Sequence, residues 1–239
     1  MSPRRLLAAA LDRLIDRVAV ALLDRAQERL LHPHTLLLAE AQRETADYIR
    51  AHMMGALAIR RRSEVLRVAL SRAPAQGLLL EFGVAGAESI REIAALAPAR
   101  IVHGFDSFEG LPEDWPGRHE ERGHYSTGGV LPAVPANVRL HKGLFDDTLP
   151  AFLATTAGPA AFVHVDCDLY GSARTVLTTL APRIVAGTVI LFDEYFNFVG
   201  WRGHEFRAFQ EFVAERRLGY RYLCWGYQQA AVIVESVGG

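Results

Sequence analysis

Leu78-Leu79-Leu80-Glu81-Phe82-Gly83-Val84-Ala85-Gly86 is an apolar run that reaches an acid and turns through two glycines into the helical pattern Glu88 to Leu96. Apolar stretches of this length, bounded by turn residues and followed by helices, read as buried strands of a parallel sheet. Three further runs end on acids in the same way: Gly104-Phe105-Asp106-Ser107, Val163-His164-Val165-Asp166-Cys167-Asp168 and Leu191-Phe192-Asp193-Glu194. Strands are predicted at 78–83, 101–106, 138–142, 161–166 and 188–193, with helical patterns in most of the intervals. This alternation predicts an α/β fold with a doubly wound, mainly parallel sheet. Ligands of such sheets bind beyond the carboxyl ends of the strands, so the four acidic ends are expected to converge on one cleft.

Outward from that core the pattern changes. Residues 1–73 hold almost no glycine and three helical-looking stretches broken at Pro33, and they are expected to form a helical extension ahead of a domain spanning 74–239. The first stretch sets Leu7, Leu11, Leu14, Ile15, Val18 and Leu22 on one stripe, opposite Arg13, Asp16, Arg17 and Asp24. That is an amphipathic helix, and its mixed-sign polar face favours packing on the domain or on a second copy of the chain over lying on a membrane. At the other end, 220–225 and 230–235 are β-rich and joined by Gly226-Tyr227-Gln228-Gln229, which predicts an antiparallel hairpin closing the sheet edge.

Composition narrows the class. The chain has 239 residues, 50% hydrophobic and 22% charged, enough for a sizeable core. Twenty-six basic residues against 27 acidic ones leave a net charge of −1, no footprint for nucleic acid or an anionic membrane. Two cysteines, Cys167 and Cys224, are too few for a disulfide scaffold and point to a reducing compartment such as the cytoplasm. Asp12 and Arg13 interrupt the first apolar stretch too early for a signal peptide, and no run is long enough to span a bilayer.

The glycine-bearing turn at Gly83 and Gly86 allows close backbone approach by a ligand and leads to a helix start with free N–H groups. It lacks the third glycine of the dinucleotide fingerprint. Asp106 closes the next strand, where an acid in a nucleotide-binding unit accepts hydrogen bonds from ribose hydroxyls. Dehydrogenases share that arrangement, so the pair alone does not name a cofactor.

The ordered set is more specific: Glu81-Phe82-Gly83-Val84, Asp106-Ser107-Phe108-Glu109-Gly110-Leu111-Pro112, Gly143-Leu144-Phe145-Asp146-Asp147-Thr148-Leu149-Pro150, Val165-Asp166-Cys167-Asp168-Leu169-Tyr170-Gly171-Ser172 and Phe192-Asp193-Glu194-Tyr195. The series resembles the macrocin O-methyltransferase family, whose members transfer a methyl group from S-adenosylmethionine to hydroxyls, often on sugars of natural products. The resemblance covers about residues 50–200. It implies a Rossmann-like class I methyltransferase with a seven-stranded sheet, acting on a small-molecule hydroxyl. It also implies residue roles: Glu81, Gly83 and Val84 toward the methionine end of the cofactor, Asp106 on the ribose, Ser107 and Phe108 flanking the nucleoside, and Gly143 to Phe145 near the adenine, with Asp166 bordering the same ligand.

The resemblance further implies a divalent cation, usually magnesium, on Asp166, Asp193 and Glu194. A hard ion of this kind prefers carboxylate oxygens and lowers the pKa of a bound hydroxyl. Where the family more often has two aspartates, this chain reads Asp193-Glu194. Glu194 therefore ligates with a different geometry, acts through water, or does not ligate. Besides Asp166, two residues are candidates for catalysis as the general base. Asp168 matches the second acid of the family's D-x-D motif, although it could instead cap the helix near Ser172. His204 lies in an aromatic, glycine-rich loop after the fifth strand, although it could simply open the next helix. His164 reads as a core residue. The polar stretch 113–125, with Trp115, Arg118, His119, Glu120 and His124, is long for a connection and predicts a segment that covers substrate or is disordered without it. Two other functions fit parts of the pattern: an NAD-dependent oxidoreductase, and a non-catalytic partner protein that kept the fold.

Overall fold

The computed structural model describes residues 3–238, with side chains from residue 11 onward. In chain order the elements are α1 (Pro3–Leu31), α2 (Pro33–His52), β1 (Leu57–Ala58), α3 (Arg62–Ser71), β2 (Leu78–Phe82), α4 (Glu88–Leu96), β3 (Val102–Asp106), β4 (Val138–Lys142), α5 (Phe145–Thr155), β5 (Ala160–Val165), α6 (Tyr170–Leu180), β6 (Val189–Phe192), α7 (Glu205–Arg216), β7 (Gly219–Trp225) and β8 (Ala230–Ser236). The strands form one sheet in the order β1-β7-β8-β6-β5-β2-β3-β4. Only the β6–β8 and β7–β8 pairings are antiparallel. The doubly wound α/β fold and the hairpin are as expected, with one addition. The two-residue β1 pairs in parallel with β7, so the hairpin is not the sheet edge and the strands number eight instead of seven. So short a strand carries no periodicity by which a sequence could reveal it.

Register brings the acidic ends together. Phe82 pairs with Phe105 on one side and Val165 on the other, and Val165 pairs with Phe192. The residues that follow, Gly83, Asp106, Asp166 and Asp193, therefore stand in one row beyond the sheet. The central strands β5 and β6 are buried at every position, as strands covered on both faces must be. One core layer, built around Phe82, Phe105, Phe192 and Phe209, lies under α5, α6 and α7; the other, around Leu79, Ile90 and Phe162, lies under α3 and α4.

The helical extension is tied down at its far end. The Tyr48 hydroxyl on α2 lies 2.6 Å from that of Tyr222, which lies 2.6 Å from that of Tyr195. Thr45 on α2 accepts the Asn197 N–H at 3.0 Å. Further up, α1 leaves Leu11, Leu14, Ile15, Val18 and Leu22 each at least half exposed. From Leu11 to Leu22 the predicted apolar stripe is present and has no cover among the described residues; the side chain of Leu7 lies outside them.

Candidate active site

Where the carboxyl ends of the strands meet, a cleft of about 1000 Å³ opens. Its wall begins with the turn after β2. Gly83 has φ +90°, and a Cβ there would sit 1.6 Å from the carbonyl oxygen of Asp166, so only glycine lets the β2 and β5 loops approach this closely. Gly86 also lines the cleft, and a Cβ there would meet nothing within 4 Å. A cradle is thus left open at the start of α4, whose first N–H groups have no intrahelical partners.

Asp106 fastens this turn. Its Oδ2 accepts the N–H groups of Val84 at 2.7 Å and Ala85 at 2.8 Å, and its Oδ1 accepts that of Phe108 at 2.6 Å. Each carboxylate oxygen can accept more than one bond, so Asp106 also faces the cleft with capacity for a ligand hydroxyl. Ser107, Gly143 and Phe145 line the same wall.

The floor is a crowded set of acids. One oxygen each from Asp166, Asp168 and Glu194 falls within 4.8 Å of the others. Arg62, at the start of α3, bridges two of the strand-end acids: Nε donates to Asp193 and Nη2 to Asp166, both at 2.7 Å. Behind them the buried His164 sits 2.9 Å from Glu81 and 3.9 Å from Asp193. Burial alone would lower the His164 pKa, but the neighbouring carboxylates of Asp193 and Glu81 lift it to about 10. Burial alone would raise Asp193, yet His164 and Arg62 hold it at about 2. For the other acids burial and mutual repulsion outweigh any such partner, Arg62 at Asp166 included. Burial, with the charge of Asp193, pushes Asp166 well above the aspartate range, and burial with the surrounding carboxylates does the same to Glu194. Asp168, mainly through burial, rises to about 7.

These acids are positioned by a residue that sequence alone does not single out. Glu205, fully buried at the start of α7, accepts the N–H groups of Cys167 and Asp168 on one oxygen and of Glu194 on the other, at 3.2–3.3 Å. Asp168 itself has φ +64°, a left-handed conformation held by those bonds. It does not cap α6, where Leu169 holds the N-cap position without a side-chain bond.

The remaining wall comes from the segment after β3 and from the hairpin turn. Residues 113–125 fold onto the site: Trp115 is buried against Phe198 and His204, and Arg118 stacks on Trp115 and pairs with the buried Glu120 at 2.8 Å. Tyr125, Tyr227, Gln228 and Gln229 line the mouth.

Three expected site residues lie elsewhere. Glu81 is fully buried beneath the cleft and reaches it only through Ser89, whose hydroxyl it accepts at 3.2 Å. Phe108 is buried in the core under α4. His204 points its Nε2 at the carbonyl of Pro116, 3.2 Å away, and is not among the lining residues. Glu81 lies inside β2 and faces the core, and Phe108 and His204 turn to the core side of their loops, an orientation that loop sequence does not encode. His164, read as core, is buried, with its Nδ1 2.9 Å from the Glu81 carboxylate. Arg62 and Glu205 were missed; a basic residue opening a helix and an acid following a histidine carry no local signal of a distant partner.

The donor set suits the two groups that the resemblance implies. Glu194 Oε2 is buried with no hydrogen-bond partner, and carboxylates pushed toward their protonated forms are what a hard cation would displace protons from. The glycine cradle and the Asp106 carboxylate suit a nucleoside carrying a charged amino-acid tail.

Comparison with known proteins agrees with this architecture. Residues 80–195 match a family described as a methyltransferase domain. The chain is 36% identical over 141 residues to 8-demethyl-8-(2,3-dimethoxy-alpha-L-rhamnosyl)-tetracenomycin-C 4'-O-methyltransferase of Streptomyces olivaceus, covering 50% of this chain and 53% of that protein. It thus spans about half the length of this curated relative. Among solved structures, a calicheamicin methyltransferase superimposes with a TM-score of 0.55 at 24% identity, over 72% of this chain and 76% of the other. The O-methyltransferase NovP gives a TM-score of 0.57 at 21% identity, over 73% and 79%. At these identities the structures are alike in fold.

Proposed function

We propose that this chain, whose residues 80–195 match a methyltransferase-domain family, moves a methyl group from S-adenosylmethionine to a hydroxyl oxygen of a small molecule, in particular a sugar of a natural product or glycan. The observation that carries this reading is the cleft itself. About 1000 Å³ is room for two ligands, with the Gly83–Gly86 turn and Asp106 on one wall and the acid cluster on the floor. The O-methyltransferase name of the Streptomyces relative, whose acceptor is a rhamnosylated tetracenomycin, supports the acceptor class.

In this reading Asp106 holds the ribose hydroxyls, the α4 start and Ser89 face the amino-acid tail, and Phe145 lies toward the adenine. The S–CH3 bond breaks as the O–CH3 bond forms, and the acceptor proton passes to Asp168. Asp168 lines the cleft and, as a carboxylate, can receive that proton. Asp166, Asp168 and Glu194 are the residues that would hold a divalent cation. When bound, such a cation supplies Lewis acidity that lowers the pKa of the acceptor hydroxyl. Asp193, expected as a further ligand of that cation, is in this reading held by Arg62 at 2.7 Å and helps keep these groups in place.

The uncovered stripe on α1 supports self-association with a second copy. Cys167 and Cys224, both buried free thiols, fit a reducing compartment such as the cytoplasm. Among the described residues no helix is long and apolar enough to cross a membrane.

Calorimetric titration with S-adenosylmethionine, followed by methyl transfer to a rhamnoside acceptor with and without chelator, tests the proposal. One-site saturable binding and turnover are expected, with turnover falling in chelator. Folded protein that does not bind the methyl donor overturns the assignment, and full turnover in chelator overturns the cation.

A further inference from the structure

We propose that Arg62 is the built-in cation of the Asp166–Asp193 pair: it holds both carboxylates in the place a divalent ion would take between them, and it confines such an ion to the oxygens of Asp166, Asp168 and Glu194. The inference rests on the proposed reading only in treating the acid cluster as a cation site.

Arg62 belongs to the segment ahead of the methyltransferase domain, in the first turn of α3, and lines the cleft. Its two 2.7 Å contacts come from different nitrogens of one planar fork, Nε to Asp193 Oδ1 and Nη2 to Asp166 Oδ2. Charge-assisted bonds from a rigid fork fix both acceptors at once, and a guanidinium keeps its charge across the pH range of a folded protein. A divalent ion would need those same inner oxygens within about 2.0–2.6 Å. They are already taken. Asp193 also has the His164 ring 3.9 Å away on its buried side, so little of its carboxylate is left open to an ion. The opposite holds for Glu194, whose Oε2 is buried without a partner. Charge and unused donor capacity therefore divide the cluster into a side neutralised by side chains and a side open to a metal. The arginine acts as a positioning residue for the floor of the cleft, and it makes the approach of α3 a condition for the order of Asp166 and Asp193.

Manganese chloride titrated into the full-length protein, with the free ion read by electron paramagnetic resonance, tests this without reference to turnover. Arg62→Met, which keeps the bulk and drops the charge, should bind Mn2+ roughly tenfold or more tightly than wild type, because a positive charge near the carboxylates is gone. Magnesium should likewise raise the Tm of Arg62→Met more than that of wild type. Arg62→Lys, which keeps the charge but cannot span two carboxylates as a fork, should fall between them and provides the test should Arg62→Met not fold. Mn2+ affinity that is unchanged or weaker in the folded variants overturns the proposal. Calorimetry with S-adenosylmethionine on the same samples keeps the two readings apart. A wild type that does not bind the methyl donor defeats the methyltransferase assignment, whereas the Mn2+ comparison alone decides the role of Arg62.

Discussion

Asp106 has two tasks in one side chain. Its carboxylate accepts three backbone N–H groups, two of them from the glycine-bearing turn, and it faces the cleft where a ribose would lie. Asp106→Ala therefore removes both the ligand contact and the support of the turn, and should weaken S-adenosylmethionine binding by about 100-fold, equivalent to roughly 2.7 kcal/mol. Asp106→Asn, which keeps one acceptor oxygen, should lose less. Equal calorimetric affinity in wild type and Asp106→Ala would defeat the ribose assignment. Glu205 works differently, since it touches no proposed ligand. Replacing it with alanine leaves three N–H groups unpaired, two of them buried, a loss of about 3–5 kcal/mol, or about 10 °C in Tm for a chain of this size. A thermal melt of Glu205→Ala within a degree or two of wild type would show that the clamp is not what fixes the two loops.

Whole loops and strands depend on single close approaches. Gly83→Ala places a methyl group on the backbone of Asp166, and the β2 or β5 loop must give way. A loss of about 3 kcal/mol or more in urea unfolding is expected, together with loss of methyl-donor binding. On β3 and β4 another contact sets a pH dependence. His103 Nδ1 lies 3.1 Å from His141 Nε2, and burial, with the neighbouring His141 and Arg139, holds His103 at about 4. In the unfolded chain an ordinary histidine titrates near 6.5, so between about pH 4 and 6.5 the unfolded state binds more protons. Stability from this group is complete above that window and is lost as pH falls through it. His103→Gln should flatten the acid side of a Tm–pH profile between pH 4.5 and 7; a variant with the wild-type slope would place the acid sensitivity elsewhere. These elements were legible to different degrees. The strands containing Gly83 and Asp106 announce themselves by apolar runs and turn residues, whereas β1 is too short to show a period and was found only by its pairing with β7.

The cleft as a whole has a charge character. Among its lining residues the one lysine or arginine is Arg62, itself bound to two carboxylates, while acids such as Glu88, Glu113 and Asp146 extend the negative surface beyond the floor. A sugar attached to an uncharged aglycone should therefore be methylated in preference to the same sugar on a nucleoside diphosphate. The expected advantage in kcat/KM is on the order of 100-fold at low ionic strength, shrinking as salt is added. A preference for the nucleotide-linked sugar would reverse this conclusion. By itself the sequence determined the alternation of strands and helices, the hairpin, the glycine turn and the row of strand-end acids, because hydrophobic period and turn chemistry are local and parallel topology aligns carboxyl ends. Only the tertiary structure decided which of those acids are neutralised and which remain open, and which expected residues face the core instead of the cleft. Arg62 meets Asp193 across 131 positions, His164 meets Glu81 across 83, and Glu205 meets Cys167 across 38. Such pairs form when the crossovers close, and no local pattern in the chain specifies them.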